Sequence, residues 1–320
     1  MRNQYRAAAY AFIACAIMPV CASASVVITD DFQVDSSANY TIVNDGTPNG
    51  TQTFAFDYTA AGIPLAPRSA IGGGNGLRLT ANNGPTAAVD AWTLFHKTPV
   101  NAPKYKLEVD VWMNFAVATA STEYAQIGVG GNGTSFNSVF TPVAGSGAFL
   151  AFTGDGGSAS DYRWFRAAAN SFADDPATAP AIPSTTLANT HPSYLGNGSN
   201  NTNSFFSNLF PLSPRSAPSV AGSPGNMWTT VTIDVDNVNK VISFYMSNPS
   251  TSTNALVFQG SFINNFEGLV SIGINDPFTS VDAGSVFTLY DNLTVTVPEP
   301  TSLALLAGAG VLSLRRRPTR

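Results

Sequence analysis

Two carboxylates on one predicted strand are the first residues of this sequence that could do chemistry. Glu108 and Asp110 are separated by one residue within the alternating segment 105–115. Because successive side chains of a strand point to opposite faces, both carboxylates are expected on the same face. Glycoside hydrolysis requires two carboxylates that face one cleft, one to attack the anomeric carbon and one to protonate the leaving oxygen.

The spacing of this pair resembles the Glu-x-Asp-x-x-Glu strand of laminarinase-type glycoside hydrolases, but it departs from that motif at its end. Met113 stands where the last Glu would lie, and Trp112 precedes it. Without that carboxylate the mechanism has no proton donor. We therefore predict no catalytic residue and interpret the pair as solvated carboxylates on an exposed sheet face. A glycan-active hydrolase or lyase is the enzymatic alternative.

A second short segment, 161–166, combines aromatic and basic side chains. On a strand, Tyr162, Trp164 and Arg166 would share one face. An exposed aromatic ring beside an arginine is typical of surfaces that stack a sugar ring and hydrogen-bond its hydroxyls. These three residues are our candidate glycan contact, and burial of Trp164 in the core is the alternative.

The histidines and cysteines do not form a recognisable site. His96 and His191 are far apart and match no zinc-ligand spacing. Cys15 and Cys21 both lie in the first 24 residues, which read as a signal peptide, so the mature chain would contain no cysteine. This excludes disulfides, thiolate metal sites and cysteine nucleophiles.

The elements that would position these residues are strands. Apolar and polar side chains alternate with period two, and segments rich in Gly, Asn, Pro and Ser separate the runs. The predicted strands are 26–34, 53–58, 77–80, 91–97, 105–115, 123–130, 147–153, 161–167, 228–235, 240–246, 255–262, 267–274 and 285–297. About a dozen short strands without a helical period predict an all-β, jelly-roll β-sandwich.

The order of features resembles the concanavalin A-like lectin/glucanase (LamG-like) jelly rolls. It runs from an Asp30-Asp31-Phe32 opening, through a GNGLRLT strand at 74–80 and the strands at 105–115 and 228–235, to a closing segment at 290–293. In that fold the first and last strands pair. The resemblance therefore implies that Asp30 and Asp31 approach Asp291, where they could bind calcium.

Calcium is the one cofactor that the sequence suggests, since it takes six to eight oxygen ligands from carboxylates and carbonyls. The hairpin 234–237 is a weaker candidate than the three terminal aspartates. Its Asp and Asn residues are also typical of a turn without a metal.

One region departs from a compact sandwich. Residues 168–226 are rich in Asn, Ser, Pro and Ala, which predicts a long loop-rich insertion. Its aromatic residues Tyr194, Phe205, Phe206 and Phe210 suggest that it packs back onto the sandwich.

The N-terminus, residues 1–24, reads as a cleaved signal peptide. Arg2 and Arg6 precede an apolar run over 7–18, and Ala22-Ser23-Ala24 supplies small residues for a cut after Ala24. The apolar run is shorter than the roughly 20 residues that span a bilayer. We therefore predict export through the Sec route and a mature domain over 25–297.

The C-terminus, residues 298–320, combines a short motif, an apolar stretch and a basic cluster. Pro298-Glu299-Pro300 is followed by an uncharged segment over 301–314, predicted to be a hydrophobic transmembrane helix, and then by Arg315, Arg316 and Arg317. The arginines should stay cytoplasmic and hold the segment in the inner membrane, transiently or permanently.

This order resembles the PEP-CTERM sorting signal of Gram-negative bacteria. The resemblance implies an exosortase as partner during export, delivery to the cell surface or extracellular space, and an exopolysaccharide setting. An ordinary tail anchor would not explain all three parts in this order.

The charge of the body limits its partners. The full chain has 15 Lys+Arg and 20 Asp+Glu. Removing the six arginines and one glutamate of the two terminal signals leaves 9 basic and 19 acidic residues. Nucleic-acid binding needs a basic surface, so this acidic body excludes it.

These observations leave three hypotheses. The first is an exported, non-catalytic surface or matrix protein that binds polysaccharide or packs structurally within the matrix. The second is the glycan-active enzyme. The third is an adhesion protein that binds a protein partner through the insertion at 168–226.

Overall fold

The computed structural model describes residues 24–46, 49–84, 89–115, 123–139, 144–156, 161–166, 204–212, 219–262, 264–278 and 285–298. Within these ranges the strands are β1 (Ala24–Asp30), β2 (Tyr40–Asn44), β3 (Thr51–Asp57), β4 (Asn75–Thr80), β5 (Asp90–His96), β6 (Lys104–Asn114), β7 (Tyr124–Gly131), β8 (Ala148–Thr153), β9 (Tyr162–Arg166), β10 (Trp228–Asp236), β11 (Val241–Asn248), β12 (Thr253–Ser261), β13 (Leu269–Asp276) and β14 (Phe287–Pro298). A short 3-10 helix covers Ser37–Asn39, and one α-helix, α1, covers Ser204–Leu209.

The strands form two sheets that pack as a β-sandwich, as the sequence predicted. The eight-stranded sheet has the order β12-β11-β10-β6-β14-β4-β3, with β1 paired to β14. The six-stranded sheet has the order β2-β5-β13-β7-β8-β9. Residues Ser25–Val297 form one compact unit.

Period-two alternation divides the eight-stranded sheet between a core face and an outer face. In β6, Leu107, Val109 and Val111 are fully buried in the cluster between the sheets. Trp112 belongs to a separate cluster on the other face. The predicted division of this strand is therefore confirmed, and Glu108 and Asp110 lie on the outer face with Trp112.

A tyrosine ties the two sheets together across the core. Tyr290 on β14 is fully buried, and its hydroxyl donates to the carbonyl of Gly273 on β13 at 2.5 Å. The same hydroxyl accepts from the backbone N–H of Gln126 on β7 at 3.0 Å. The two strands that it bridges are neighbours in the six-stranded sheet. A phenol that enters an apolar core needs such partners, because an unpaired buried hydroxyl is unfavourable.

The described end of the insertion packs onto the sandwich, as its aromatic residues suggested. Phe206 of α1 and Phe210 after it are buried in the core. The ring of Phe206 stacks on Tyr162 with centroids 4.0 Å apart. Phe205 is half-buried against the same cluster, and Tyr194 lies outside the described residues.

Strand β2, helix α1 and the 3-10 helix Ser37–Asn39 were not predicted from the sequence. Strand β2 has only five residues, so alternation within it is too short to stand out from the flanking turns. Helix α1 has six residues, fewer than two turns, and its two buried residues, Phe206 and Leu209, are too few to establish a helical period. The first predicted strand, 26–34, ends earlier, at Asp30, where the Asp30 carboxylate accepts the backbone N–H of Phe32.

The predicted terminal signals fall outside the described residues. These are the signal peptide before Ala24 and the segment after Pro298, which includes the predicted hydrophobic helix and arginine cluster. Among the residues that the structure describes, no helix has the length and hydrophobicity to cross a bilayer.

We expect Tyr290→Phe to lower the free energy of unfolding by about 1–3 kcal/mol, because it removes a buried hydroxyl that bonds to both neighbouring strands. Urea unfolding measures this change. Tyr245→Phe on β11, where the side chain is half-buried, is the matched control and should change stability by less than about 0.5 kcal/mol. Equal effects of the two substitutions would contradict the assigned role of the Tyr290 hydroxyl.

Candidate functional site

Two tryptophans sit side by side on the outer face of the eight-stranded sheet. In the antiparallel pairing of β6 with β10, Trp112 lies directly opposite Trp228. Their ring centroids are 5.9 Å apart, and Trp228 also contacts Tyr58 at 5.2 Å. Directly opposed residues of an antiparallel pair are close enough for such aromatic contacts.

A groove of about 380 Å³ opens beside this aromatic pair. Its described lining comes from the loop between β3 and β4, from β6, from the segment after α1, from the start of β10 and from the turn between β11 and β12. The lining residues are Pro64, Leu65, Pro67, Trp112, Pro211, Asn226, Met227, Trp228, Asn248, Pro249 and Ser250. A largely apolar lining with a few amide and hydroxyl groups, at this volume, is typical of small-molecule and sugar sites.

Residues 58–74, here called the 58–74 loop, form one wall of the groove. The loop is fixed to the sheet at its aromatic end, because Trp228 Nε1 donates to the carbonyl of Pro64 at 2.6 Å. Ile63 and Ala66 are buried against the outer aromatic cluster. Leu65 stays 40% exposed and faces the groove.

Two carboxylates lie beneath this loop. Asp110 on β6 and Asp291 on β14 are paired directly across the two strands, and both are fully buried. Immediately after Asp291 the pairing is shifted by a β-bulge, and Asn292 adopts a left-handed φ of 52°. Asparagine tolerates this conformation better than most residues. The bulge turns the Asn292 side chain towards Asp110 and Ser69, while its backbone N–H donates to Asp291.

Asp110 is held by donors from three elements. Arg68 of the loop forms an ion pair with it, with Nε to Oδ1 at 3.0 Å. Thr230 Oγ1 donates at 2.6 Å, and Asn292 Nδ2 donates at 3.0 Å. A buried carboxylate is stable only when it is paired and hydrogen-bonded in this way.

Asp291 accepts hydrogen bonds from uncharged donors. Tyr58 OH donates at 2.9 Å and Ser69 Oγ at 2.7 Å, both from the 58–74 loop. Burial raises the pKa of Asp291 to about 6, the charge of Asp110 also raises it, and the hydrogen bonds from Ser69 and Tyr58 oppose the rise. We call the two carboxylates with Tyr58, Arg68 and Ser69 the carboxylate clamp. The clamp holds the loop in the position that closes one side of the groove.

The two carboxylates first considered for catalysis do not face a common cleft. Asp110 is enclosed in the clamp, whereas Glu108 pairs with Lys106 at 3.0 Å with 27% of its side chain exposed. The expected pair of solvated carboxylates is thus corrected at Asp110. The reason is that the loop covers this part of the sheet face, which strand periodicity does not reveal.

The candidate glycan contact at Tyr162, Trp164 and Arg166 lies in the interior of the described structure. Trp164 is 3% exposed and contacts Phe244 at 5.5 Å and Phe258 at 4.7 Å between ring centroids. Tyr162 is covered by the insertion, as described above.

Arg166 is also buried, and its Nη1 donates to the carbonyl of Ser261 at 2.8 Å. The three residues share a face as expected, but that face is the core. Their surroundings match the alternative interpretation, and no sugar ring can reach Trp164 in this arrangement.

The predicted calcium ligands have separate hydrogen-bond partners. β1 and β14 pair as the resemblance implied. Asp30, however, accepts from Ser36 Oγ at 2.7 Å and from Tyr40 OH at 2.9 Å, and Asp291 belongs to the clamp.

Asp31 accepts the backbone N–H of Gln33 at 3.2 Å. In the hairpin, Asp236 accepts the N–H groups of Val238 and Asn239, as a turn would. Among the described residues no group of three His, Cys, Asp or Glu side chains is placed to hold a metal. Calcium binding stays a prediction.

The outer face of the six-stranded sheet is covered by the segment that follows β7. Asn137 N donates to Thr93 Oγ1 at 2.7 Å, and Arg163 Nη1 donates to the carbonyl of Val139 at 3.0 Å. Asn137, Val139 and Arg163 are all buried. Because the outer face of the six-stranded sheet is covered there and the groove on the eight-stranded sheet is open, the groove is the better candidate site.

Sequence reasoning missed the loop residues of this site. Pro64, Leu65, Arg68 and Ser69 lie in a stretch that reads only as a connection between strands. No spacing rule links them to Asp291, more than 200 residues later. The signal that could have been used is Trp112, which shares the outer face with the two carboxylates of β6.

Comparisons with known proteins give fold-level likenesses only. No family model matches the chain, and no curated protein matches it. A peanut lectin structure with a 9-residue peptide is 11% identical, covers 86% of this chain and 97% of its own, and has a TM-score of 0.42.

The CBM2 module of the Lactobacillus casei BL23 phage J-1 evolved Dit protein is 10% identical, with coverages of 87% and 97% and a TM-score of 0.41. The Emp47p carbohydrate recognition domain is 10% identical, with coverages of 69% and 83% and a TM-score of 0.39. Identities and TM-scores this low do not transfer a ligand to this chain.

We expect Arg68→Met to lower the free energy of unfolding by about 1–3 kcal/mol, because it leaves the buried Asp110 carboxylate without its cation. The side chain of Arg68 is 28% exposed, which places the effect below that of a fully buried pair. Lys104→Met breaks the exposed pair with Asp236 and is the control, with an expected change under about 1 kcal/mol. Urea unfolding of both variants tests the difference, and equal losses would contradict the clamp.

The raised pKa of Asp291 predicts a pH dependence of stability. Since the folded-state pKa of about 6 exceeds the ordinary 3.8, the folded protein binds this proton more tightly than the unfolded chain. This group therefore lowers stability as pH rises from about 4 to about 6, by up to about 3 kcal/mol. We expect Asp291→Asn to flatten the change in unfolding free energy across that window. Unfolding curves at pH 4, 5, 6 and 7 measure it, and parallel profiles for the two proteins would refute the expectation.

Proposed function

We propose that this protein is an exported, non-catalytic surface or extracellular-matrix protein that associates with polysaccharide through the groove beside Trp112 and Trp228. The observation that supports this most directly is the groove itself. It is open to solvent and has a largely apolar lining that includes two amide side chains and one hydroxyl. Sugars present apolar C–H faces and hydroxyl groups together, which such a lining complements.

Binding without catalysis is favoured by the state of the carboxylates. Hydrolysis requires two carboxyl groups that reach the same bond. Near the groove, Asp110 and Asp291 are fully buried, and each is engaged by several donors of the clamp. Their hydrogen bonds serve to position the 58–74 loop, and their carboxylate oxygens point away from solvent.

The delivery of the protein is inferred from its sequence. The N-terminal signal predicts export, and the resemblance of Pro298-Glu299-Pro300 with the following segment to a PEP-CTERM tail predicts processing by an exosortase. A protein placed at the surface of an exopolysaccharide-producing cell would meet polysaccharide at high local concentration. The acidic, charge-poor body is compatible with a soluble existence in that matrix.

Affinity electrophoresis in gels that contain polysaccharide tests the proposal. We expect the purified protein to be retarded, and Leu65→Asp to weaken the retardation about tenfold, because it places a charge on the apolar wall of the groove. Leu65 is 40% exposed, so the substitution should leave the fold intact.

Leu256→Asp is the matched control, because Leu256 is 38% exposed but lies on β12, outside the groove lining. Its retardation should equal that of the unmodified protein. Absence of retardation across a broad polysaccharide panel, or an equal loss in both variants, would overturn the assignment of the groove.

A further inference from the structure

The chemical class of the ligand can be narrowed from the charges in and around the groove. Among the described residues that line it, none is Asp, Glu, Lys, Arg or His. The polar side-chain groups of the lining are the amides of Asn226 and Asn248, the hydroxyl of Ser250 and the indole N–H groups of Trp112 and Trp228. A ligand carboxylate or sulfate that entered the groove would therefore lose water without gaining a cationic partner.

Among the described residues, the cation next to the lining in sequence, Arg68, already has partners. Arg68 follows the lining residue Pro67, and its Nε binds Asp110. Its Nη1 donates to Thr294 Oγ1 at 3.2 Å, and its Nη2 donates to the carbonyl of Asn292 at 2.5 Å. All three nitrogens of the guanidinium thus bond within the protein, which leaves Arg68 unsuited to hold a ligand anion.

The surrounding sheet face carries excess negative charge. On the described outer face, the carboxylates are Glu108, Asp110, Asp234, Asp236 and Asp291, and the cations are Arg68, Arg78, Lys104 and Lys106. Five carboxylates against four cations leave this face with a small excess of negative charge. Asp110 is two residues from Trp112 along β6, about 7 Å, which is within the Debye length of about 10 Å at 0.1 M salt.

We infer that the groove selects uncharged polysaccharide and rejects acidic polysaccharide. The inference rests on the proposed function, because it specifies the ligand of the same groove. Neutral sugars gain contact with the proline, leucine and tryptophan lining without any charge interaction. Acidic sugars would lose the hydration of their anions without gaining a cationic partner, and the negative sheet face would repel them. Salt screens only the repulsion.

Affinity electrophoresis with two neutral polysaccharides, laminarin and galactomannan, and two acidic ones, alginate and polygalacturonate, tests this inference. We expect retardation by at least one neutral polymer, changing less than about twofold between 0.05 and 0.5 M salt. Either acidic polymer should bind at least tenfold more weakly at 0.05 M salt.

A variant adds a direct test of charge. Ser250 is exposed and lines the groove. Ser250→Lys should increase retardation by the acidic polymers at low salt by several-fold and leave neutral binding largely unchanged, because it supplies the missing cation. Ser250→Gln, a neutral change of similar reach, is its control.

The outcomes distinguish failure of the charge selectivity from failure of the proposed function. Stronger retardation by acidic than by neutral polymers, lost in Leu65→Asp, would overturn the selectivity and leave the groove as the polysaccharide site. Retardation by none of the four polymers, or retardation that Leu65→Asp does not affect, would remove the proposed function and the inference with it. No gain of acidic binding in Ser250→Lys would contradict the charge explanation.

Discussion

Two carboxylates placed side by side under a surface loop are the constraint on which the outer face of this molecule depends. Asp110 and Asp291 come from neighbouring strands, and like charges at this separation repel each other. The 58–74 loop supplies a guanidinium and two hydroxyls to them, so the loop and the sheet stabilise each other. The groove follows from this arrangement, because the same loop presents Leu65 to solvent a few residues before Arg68.

The two faces of the eight-stranded sheet therefore differ in what they contact. Its inner face packs against the six-stranded sheet through aliphatic side chains and is fixed across the core by Tyr290. Its outer face divides into an aromatic end at Trp112 and Trp228 and a charged end towards Lys104. The 58–74 loop, which forms one wall of the groove, is held by hydrogen bonds to the strands themselves, which fixes the geometry of the proposed binding surface.

The fold was predictable from sequence to a greater extent than the site. Period-two alternation identified β6 and its two faces, because that signal is local. The site could not be found in this way, because the contact of Arg68 with Asp110 joins a loop to a strand 42 residues later. Trp164 shows that strand periodicity also cannot tell which face of a sheet is buried. Alternation placed it correctly on a face of β9, but only the packing of Phe244 and Phe258 shows that this face is internal.

The pairing of β1 with β14 has a kinetic consequence. The eight-stranded sheet lacks a central strand until β14 is available, because β14 pairs with β1, β4 and β6. Contacts between segments so distant in sequence form slowly, because the entropy of closing a long loop is lost before the contacts contribute any stabilising free energy. A chain of this topology can complete its eight-stranded sheet only when its last strand, β14, is available.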